Sequence, residues 1–295
     1  MSVARQDRLA RARLRREVTA TLCAAAQGLA ESHVSYQNIL FETADGVARL
    51  TLNRPERLNA FNTEMHAEVR AALLALKDSA ARVLVISAAG RGFCAGQDLN
   101  DRAVAPGGAP PDLAASIEKN YKPLVLALRS LPMPVIAAVN GVAAGAGANI
   151  ALACDVVIAA RSASFVQAFS KLGLVPDSGG TWILPRLVGT ARALGLTLLG
   201  DRLSAEQAAS WGLIWRCVED GELASVVEDL ARQFAAAPTR GLARTKQAIY
   251  EGLSRTLPQQ LDVERDYQGE LGHSADYTEG VAAFAEKRTP RFTGR

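Results

Sequence analysis

Two apolar, β-branched runs, Arg82 to Ser87 and Val135 to Val139, lack the alternation of a half-exposed strand and read as strands buried on both faces. Each runs straight into a Gly/Ala-rich turn: Gly90-Arg91-Gly92-Phe93-Cys94-Ala95-Gly96-Gln97-Asp98 after the first, Asn140-Gly141 through Gly147 after the second. Helical patterns come next, from about Asp112 to Leu128 and just beyond Gly147, and Asp155 to Ala160 reads as a further strand. A strand buried on both faces must be covered by helices or a second sheet, so this repeat predicts a layered α/β core. The glycine spacing is not that of a dinucleotide fold: Gly141, Gly145 and Gly147 do not give G-x-G-x-x-G, and no Gly-Lys-Ser/Thr phosphate loop is present.

The rest of the chain fits around that core. Asn38 to Thr43 and Val47 to Asn53 read as a hairpin turning at Ala44-Asp45-Gly46. Asn62 or Thr63 can cap a helix running to about Lys77, with Val69, Leu73 and Leu76 on one stripe. Residues 103 to 111, AVAPGGAPP, predict a mobile loop. Beyond Thr181 a helix should run toward Leu199 with an interruption near Pro185, and Ser204 with Gln207 forms a capping box for the next. Gly212 should end that helix before a strand from Leu213 to Val218, and Glu222 to Lys287 is helical throughout. The expected organisation is a basic, flexible extension over 1–35 with a short Ala-rich helix at 18–31, a catalytic core over 36–235, and a helical region over 236–295 that covers a neighbouring subunit or the open edge of the core.

Charge removes several function classes. The 295 residues carry a formal +3, but residues 1 to 16 hold six arginines and one aspartate, so the remaining 279 carry −2. No aromatic-interleaved basic patch appears in those 279, which argues against nucleic-acid binding. No apolar run approaches the ~20 residues that span a bilayer. The basic start could serve as a transit peptide, although Asp7 and Glu17 count against it; a cytoplasmic location is expected. Cys23, Cys94, Cys154 and Cys217 stand 60 or more residues apart, and His33, His66 and His273 are scattered, so neither a zinc site nor a Ser-His-Asp triad is expected. Cys94 reads as a small buried hydrophobe rather than a nucleophile.

The chemistry is concentrated between the two turns and Thr181. Asp177, in the turn Val175-Pro176-Asp177-Ser178-Gly179-Gly180-Thr181, is the only carboxylate between Asp155 and Asp201. Turns at Ala95-Gly96-Gln97 and Gly145-Ala146-Gly147 could bring two backbone N–H groups onto one carbonyl and stabilise an enolate. They could equally serve only tight turning and close helix packing. Asp177, likewise, could be a proton shuttle or the N-cap of the helix beginning near Gly179.

Several segments carry a resemblance that bears on this choice: Asn53-Arg54-Pro55 with Asn59-Ala60, Phe93 through Leu99, Asn140-Gly141 through Gly147, and Gly173-Leu174-Val175-Pro176 with Gly179-Gly180-Thr181. In order and spacing, over about residues 36 to 295, they resemble the enoyl-CoA hydratase/isomerase, or crotonase, superfamily. The resemblance implies a spiral of ββα turns, a homotrimer or homohexamer, an acyl-CoA thioester as substrate, and no cofactor or metal beyond the coenzyme A of that substrate. It assigns the oxyanion hole to the N–H groups of Gln97 and Ala146, and coenzyme A contacts to Arg57, Leu58, Ala95, Asp98 and Lys287.

Where hydratases of this superfamily keep two glutamates, this chain has Asn149 and Phe169, both assigned to the substrate pocket. Activating water and protonating carbon usually need two carboxylates, so ordinary hydration is disfavoured. A 1,3-proton shift needs only one base, and Asp177 stands where isomerase members keep an aspartate. Asn149 could bond substrate, orient Asp177, or only satisfy backbone near a turn. The run Phe165 to Asp177 with Gly179 to Trp182, the segment Gln97 to Arg102, Ser204 to Ala208 and the ending Thr289 to Gly294 are similar to the branch of the superfamily that isomerises ring-1,2-epoxyphenylacetyl-CoA to oxepin-CoA in aerobic phenylacetate degradation. The expected activity is that isomerisation, with double-bond shifts in unsaturated acyl-CoAs. The alternatives are a general Δ3,Δ2-enoyl-CoA isomerase (or hydratase) of fatty-acid oxidation, a silent acyl-CoA binder, and an RNA-binding protein on the same fold.

Overall fold

A computed structural model of the chain describes residues 36–102 and 111–295. The expected N-terminal extension with its short helix, and all but the last residue of the expected loop at 103–111, lie outside the described residues. Residues from Gln37 to Arg295 form one compact unit.

In chain order the strands are β1 (Ile39–Ala44), β2 (Val47–Leu52), β3 (Val83–Ala88), β4 (Gly92–Cys94), β5 (Val135–Val139), β6 (Val142–Ala144), β7 (Val156–Ala160), β8 (Ser164–Val166), β9 (Arg202–Ser204) and β10 (Arg216–Val218). The helices are α1 (Thr63–Ala75), α2 (Leu113–Ser116), α3 (Lys122–Ser130), α4 (Ala146–Ala153), α5 (Gly180–Leu199), α6 (Ala205–Ser210), α7 (Leu223–Ala236), α8 (Thr239–Gly252), α9 (Leu257–Leu271) and α10 (Ala275–Glu286). A π-helical turn, Ile117–Tyr121, joins α2 to α3.

Two sheets result, in strand orders β1-β2-β3-β5-β7-β10 and β4-β6-β8-β9. The hairpin β1–β2 is antiparallel and turns through Asp45 and Gly46, both at positive φ. From β2 onward the larger sheet is parallel. Each long strand is succeeded at once by a short strand in the other sheet: β3 by β4, β5 by β6, β7 by β8. A helix then returns the chain, which is the ββα spiral. Every residue of β5 is buried, as its unbroken apolar run requires. Helix α7 lies across the larger sheet with Leu223, Val227 and Ala231 buried, a four-residue repeat that keeps one face inward.

Three local expectations change. The second sheet is built from three-residue strands, too short for alternation to show in sequence. In α5 the break falls at Gly189, with φ 76° and ψ 161°, and Pro185 is carried inside the helix. Only Arg216–Val218 of the expected Leu213–Val218 strand pairs, because Leu213 and Ile214 bond back to Ala208 at the end of α6.

Candidate active site

Glycine brings the first two turns into contact. Gly96 has φ 93°, and a Cβ there would stand 2.9 Å from the Ala144 carbonyl oxygen and 3.4 Å from the Ala146 nitrogen. A Cβ on Gly147 would fall 2.3 Å from the Cys94 carbonyl oxygen. No side chain survives such distances, so the glycines permit both the turning and a close approach of main chain to main chain.

The two N–H groups singled out in the sequence differ in how they are presented. Phe61 donates its N–H to Gly96 O at 2.7 Å and accepts at its carbonyl from Asp98 N at 2.9 Å. In such a parallel bridge the middle residue, Gln97, directs its own N–H and carbonyl away from Phe61. Ala146 is the first residue of α4, after Gly145 with φ 54°, and a first-turn N–H has no acceptor within its helix. The Phe169 ring, buried, lies 3.8–3.9 Å from where a Cβ on Gly145 would stand.

Asp177 reaches the same helix by a different route. Its carbonyl accepts from Asn149 Nδ2 at 2.8 Å and from Gly180 N at 2.9 Å, while its Oδ1 accepts from the Ser178 hydroxyl at 2.9 Å. Asn149 lies three residues after Ala146, about 4.5 Å along α4 and on the same face. One helical turn thus carries both an N–H without a helical acceptor and the amide that fixes the aspartate's main chain. The turn is tight: Ser178 and Gly179 are both left-handed, and a Cβ on Gly180 would stand 2.4 Å from Asn149 Nδ2. The cap position of α5 belongs to Gly179, two residues after Asp177.

Asn149 is fully buried, with its Oδ1 accepting from Gln167 Nε2 at 2.9 Å. Its amide joins the Asp177 turn to Gln167. Around this turn Val175 is 77% exposed, Trp182 has the Arg129 and Arg186 guanidinium groups against its ring, and Phe169 is buried. Cys94 donates to Asn59 O at 3.1 Å; burial pushes its thiol up to about 12 against a smaller lowering by the Gly96 backbone, which removes it as a nucleophile.

The coenzyme A assignments divide. Ala95 N donates to Leu58 O at 2.9 Å, which joins the Arg57–Leu58 turn to the first glycine turn; Leu58 is left-handed and half-buried, Arg57 exposed. Asp98 lies in the same cluster, but its carboxylate is buried on Arg54 Nη2 at 2.9 Å and accepts from Asn100 N at 3.0 Å. Burial alone would raise its pKa, yet the Arg54 hydrogen bond, the Asn100 N–H and the charges of Arg54 and Arg57 together hold it below the usual value. Lys287 is not brought to this cluster within one chain. It is the left-handed, exposed end of α10, in a C-terminal segment tied to the opposite end of the sheet, where Arg82, just before β3, donates to Phe292 O at 3.1 Å and Thr239 Oγ1 at 2.8 Å. The glycine turns leave that strand at its other end.

Sequence reading missed Arg54, Tyr121 and Gln167 as working parts of this site. Tyr121, at the end of the π-turn, donates its hydroxyl to Gln97 Oε1 at 2.9 Å. Gln167 lies inside the resembling run Phe165 to Asp177 and Arg54 inside Asn53-Arg54-Pro55, each as one letter of a motif with no role attached.

Residues 42–295 match the enoyl-CoA hydratase/isomerase family. The chain is 60% identical over 258 residues to the 1,2-epoxyphenylacetyl-CoA isomerase of Escherichia coli strain K12, covering 87% of this chain and 98% of that one. It is 34% identical over 263 residues to the trans-2-decenoyl-(acyl-carrier-protein) isomerase of Streptococcus mutans, covering 89% and 100%. A solved enoyl-CoA hydratase from Bacillus anthracis superposes with a TM-score of 0.83 at 34% identity, over 88% of this chain and all of the other. With its two-sheet spiral, its paired glycine turns and these relatives, the chain belongs to the enoyl-CoA hydratase/isomerase family.

Proposed function

We propose that this protein is an acyl-CoA isomerase that converts ring-1,2-epoxyphenylacetyl-CoA to oxepin-CoA and shifts double bonds in unsaturated acyl-CoAs. Asp177 is its acid/base, and the N–H groups of Gln97 and Ala146 hold the thioester oxyanion. The observation that carries the reading is the Asn149 bond to the Asp177 carbonyl, which couples the aspartate to the helical turn that begins with Ala146. Isomerisation conserves composition. In the ring epoxide the C–C bond shared by the epoxide and the carbocycle opens as the ring double bonds reorganise to the seven-membered ring. In both substrates the carboxylate takes a proton from the carbon beside the thioester carbonyl, negative charge moves onto the carbonyl oxygen, and the proton returns to a different carbon as the double bond moves. One base suffices, and Phe169 and Asn149 cannot supply the second carboxylate of a hydratase. The relative at 60% identity supports the ring-epoxide substrate.

The test is turnover of purified protein on the ring epoxide and on a straight-chain 3-enoyl-CoA, with Asp177→Asn beside it. The substitution is expected to lower turnover about 10²- to 10⁴-fold while thioester binding is retained. Full activity in Asp177→Asn would remove the aspartate from the mechanism. Rapid turnover of straight-chain substrates alone would replace the ring-epoxide assignment with a general Δ3,Δ2-enoyl-CoA isomerase, a reading favoured by the likeness to an isomerase of acyl chains.

The exposed Arg57, beside the Leu58–Ala95 junction, offers a cation to the nucleotide phosphates, and Lys287 would have to come from another subunit. A homotrimer or homohexamer accounts for the apolar side chains left exposed on α5, α8, α9 and α10, among them Leu198, Leu199, Ile249, Leu257 and Phe284. Sedimentation of the full chain tests this, and a monomer at micromolar concentration would overturn it. No helix among the described residues is long and apolar enough to cross a membrane, in keeping with the proposed cytoplasmic location.

A further inference from the structure

Gln97 is gripped from two directions by one aromatic cluster. Its flanking peptide groups bond to Phe61, at 2.7 Å and 2.9 Å, and its side-chain oxygen accepts the Tyr121 hydroxyl at 2.9 Å. Its Nε2 donates to the Asp98 carbonyl at 3.3 Å, which ties the side chain to the main chain just after Gln97. Phe61 and Tyr121 belong to the same cluster: the His66 ring lies between them, 4.7 Å from Phe61 and 4.5 Å edge-on to Tyr121, centroid to centroid. All three rings are buried. Edge-on and tilted rings at these separations form a rigid body, unlike an aliphatic contact of equal area.

The helix carrying Tyr121 is distorted at the position that matters. A π-turn inserts one residue into the helical register and swings the next turn of helix by about 100° around the axis. Here the π-turn ends on Tyr121 itself. Packing alone would be satisfied by phenylalanine, since a buried hydroxyl is costly unless it is bonded. The hydroxyl is present, and it donates to the side chain of the residue whose N–H faces away from Phe61.

We infer that Tyr121 is a positioning residue that sets the angle of the Gln97 N–H toward the thioester carbonyl. The inference rests on the proposed oxyanion role of Gln97. Phe61 holds the Gly96–Gln97 peptide through the Gly96 carbonyl and Tyr121 holds the Gln97 side chain, so loss of the hydroxyl leaves the ring packing in place but frees the Gln97 side chain and loosens the aim of the N–H beside it.

The experiment compares the full-length protein with Tyr121→Phe, Gln97→Met and the double variant, with Asp177→Asn as reference. Tyr121→Phe should lower kcat about 10- to 100-fold, the scale of a misaligned oxyanion donor, with KM within about twofold. The infrared carbonyl band of a bound, non-reactive acyl-CoA should move back toward its position in free solution, a readout that a purely packing role would not shift. Gln97→Met keeps the backbone N–H and removes the acceptor, so it should reproduce both effects, and the double variant should be no slower than either single one. An unshifted band with wild-type kcat in both single variants, or losses that multiply in the double variant, would overturn the inference. Should Tyr121→Phe fail to fold, Gln97→Met decides alone, by the same band and the same kcat. If Asp177→Asn retains full activity, the functional reading itself falls; if it is inactive while the phenol variant is unchanged, only the role of Tyr121 falls.

Discussion

Asn149, in the proposed active site, holds a main-chain atom of the proposed acid/base. Its amide uses one end on the Asp177 carbonyl and the other on Gln167, with no exposed surface left over. Asn149→Ala should therefore lower kcat by about 10- to 100-fold through a displaced aspartate, and destabilise by about 1–3 kcal/mol because Gln167 Nε2 loses its buried acceptor. Steady-state kinetics and urea titration measure the two separately. Asp98 makes a second prediction. Its folded pKa lies below the unfolded value, so the Arg54–Asp98 pair stabilises fully at neutral pH and its contribution disappears as pH falls through ~4 toward the folded pKa. Asp98→Asn should be less stable than wild type at pH 7, and the gap should close in acid; a constant gap across that range in thermal melts would contradict the assignment.

At the scale of elements, the site depends on three turns that leave parallel strands or short helices with no room to spare. Gly147→Ala places a methyl carbon against the Cys94 carbonyl, which is backbone and cannot rotate away. It should cost about 1–3 kcal/mol as an overpacked contact and lower kcat as well, because α4 carries both Ala146 and Asn149. Loss of stability with kcat preserved would mean that the helix relaxes without disturbing the site. These elements also show what sequence can disclose. The strands at 83–88 and 135–139 and the glycine turns after them were legible because burial on both faces and close backbone approach each leave a compositional mark. The second sheet was not, since three residues carry no period. The π-turn was not, since an inserted residue looks like any other until its hydrogen bonds are drawn. Asp177 stood out by the absence of other acids around it, whereas Gln167 and Tyr121 act through single bonds between distant segments, and such bonds leave no local pattern. Lys287 shows the reach of a family position: it names a residue type, not which end of a sheet one chain's own tail will meet.

Across the whole molecule, one carboxylate gathers several of the bonds that fasten the helical C-terminal region to the core. Asp155, just before β7, accepts from Val135 N at 2.8 Å, from Lys246 Nζ at 2.8 Å and from the Tyr250 hydroxyl at 2.6 Å. Lys246, nearly buried, also reaches the carbonyls of Leu128 and Met133, and burial holds its pKa below the usual value against the opposing pull of Asp155. Arg129 stacks at 3.5 Å on the Tyr250 ring. Removing one partner of a buried pair leaves an uncompensated charge, so Lys246→Met should destabilise the protein by about 3–5 kcal/mol, read by chemical denaturation. A loss below ~1 kcal/mol would show that α8 is held by its apolar contacts instead.

That fastening has a consequence in time. Tyr250 lies 95 residues beyond Asp155, so at about 5–20 residues per second a growing chain spends roughly 5 to 20 seconds with the aspartate made and its side-chain partners not yet synthesised. The turns bearing Gln97, Ala146 and Asp177 are all made in that interval, yet the carboxylate just before β7 then has the Val135 N–H and neither of its side-chain partners. A chain stopped after Ala237 should accordingly be sticky on the ribosome, whereas one extended through Tyr250 should be released in soluble form.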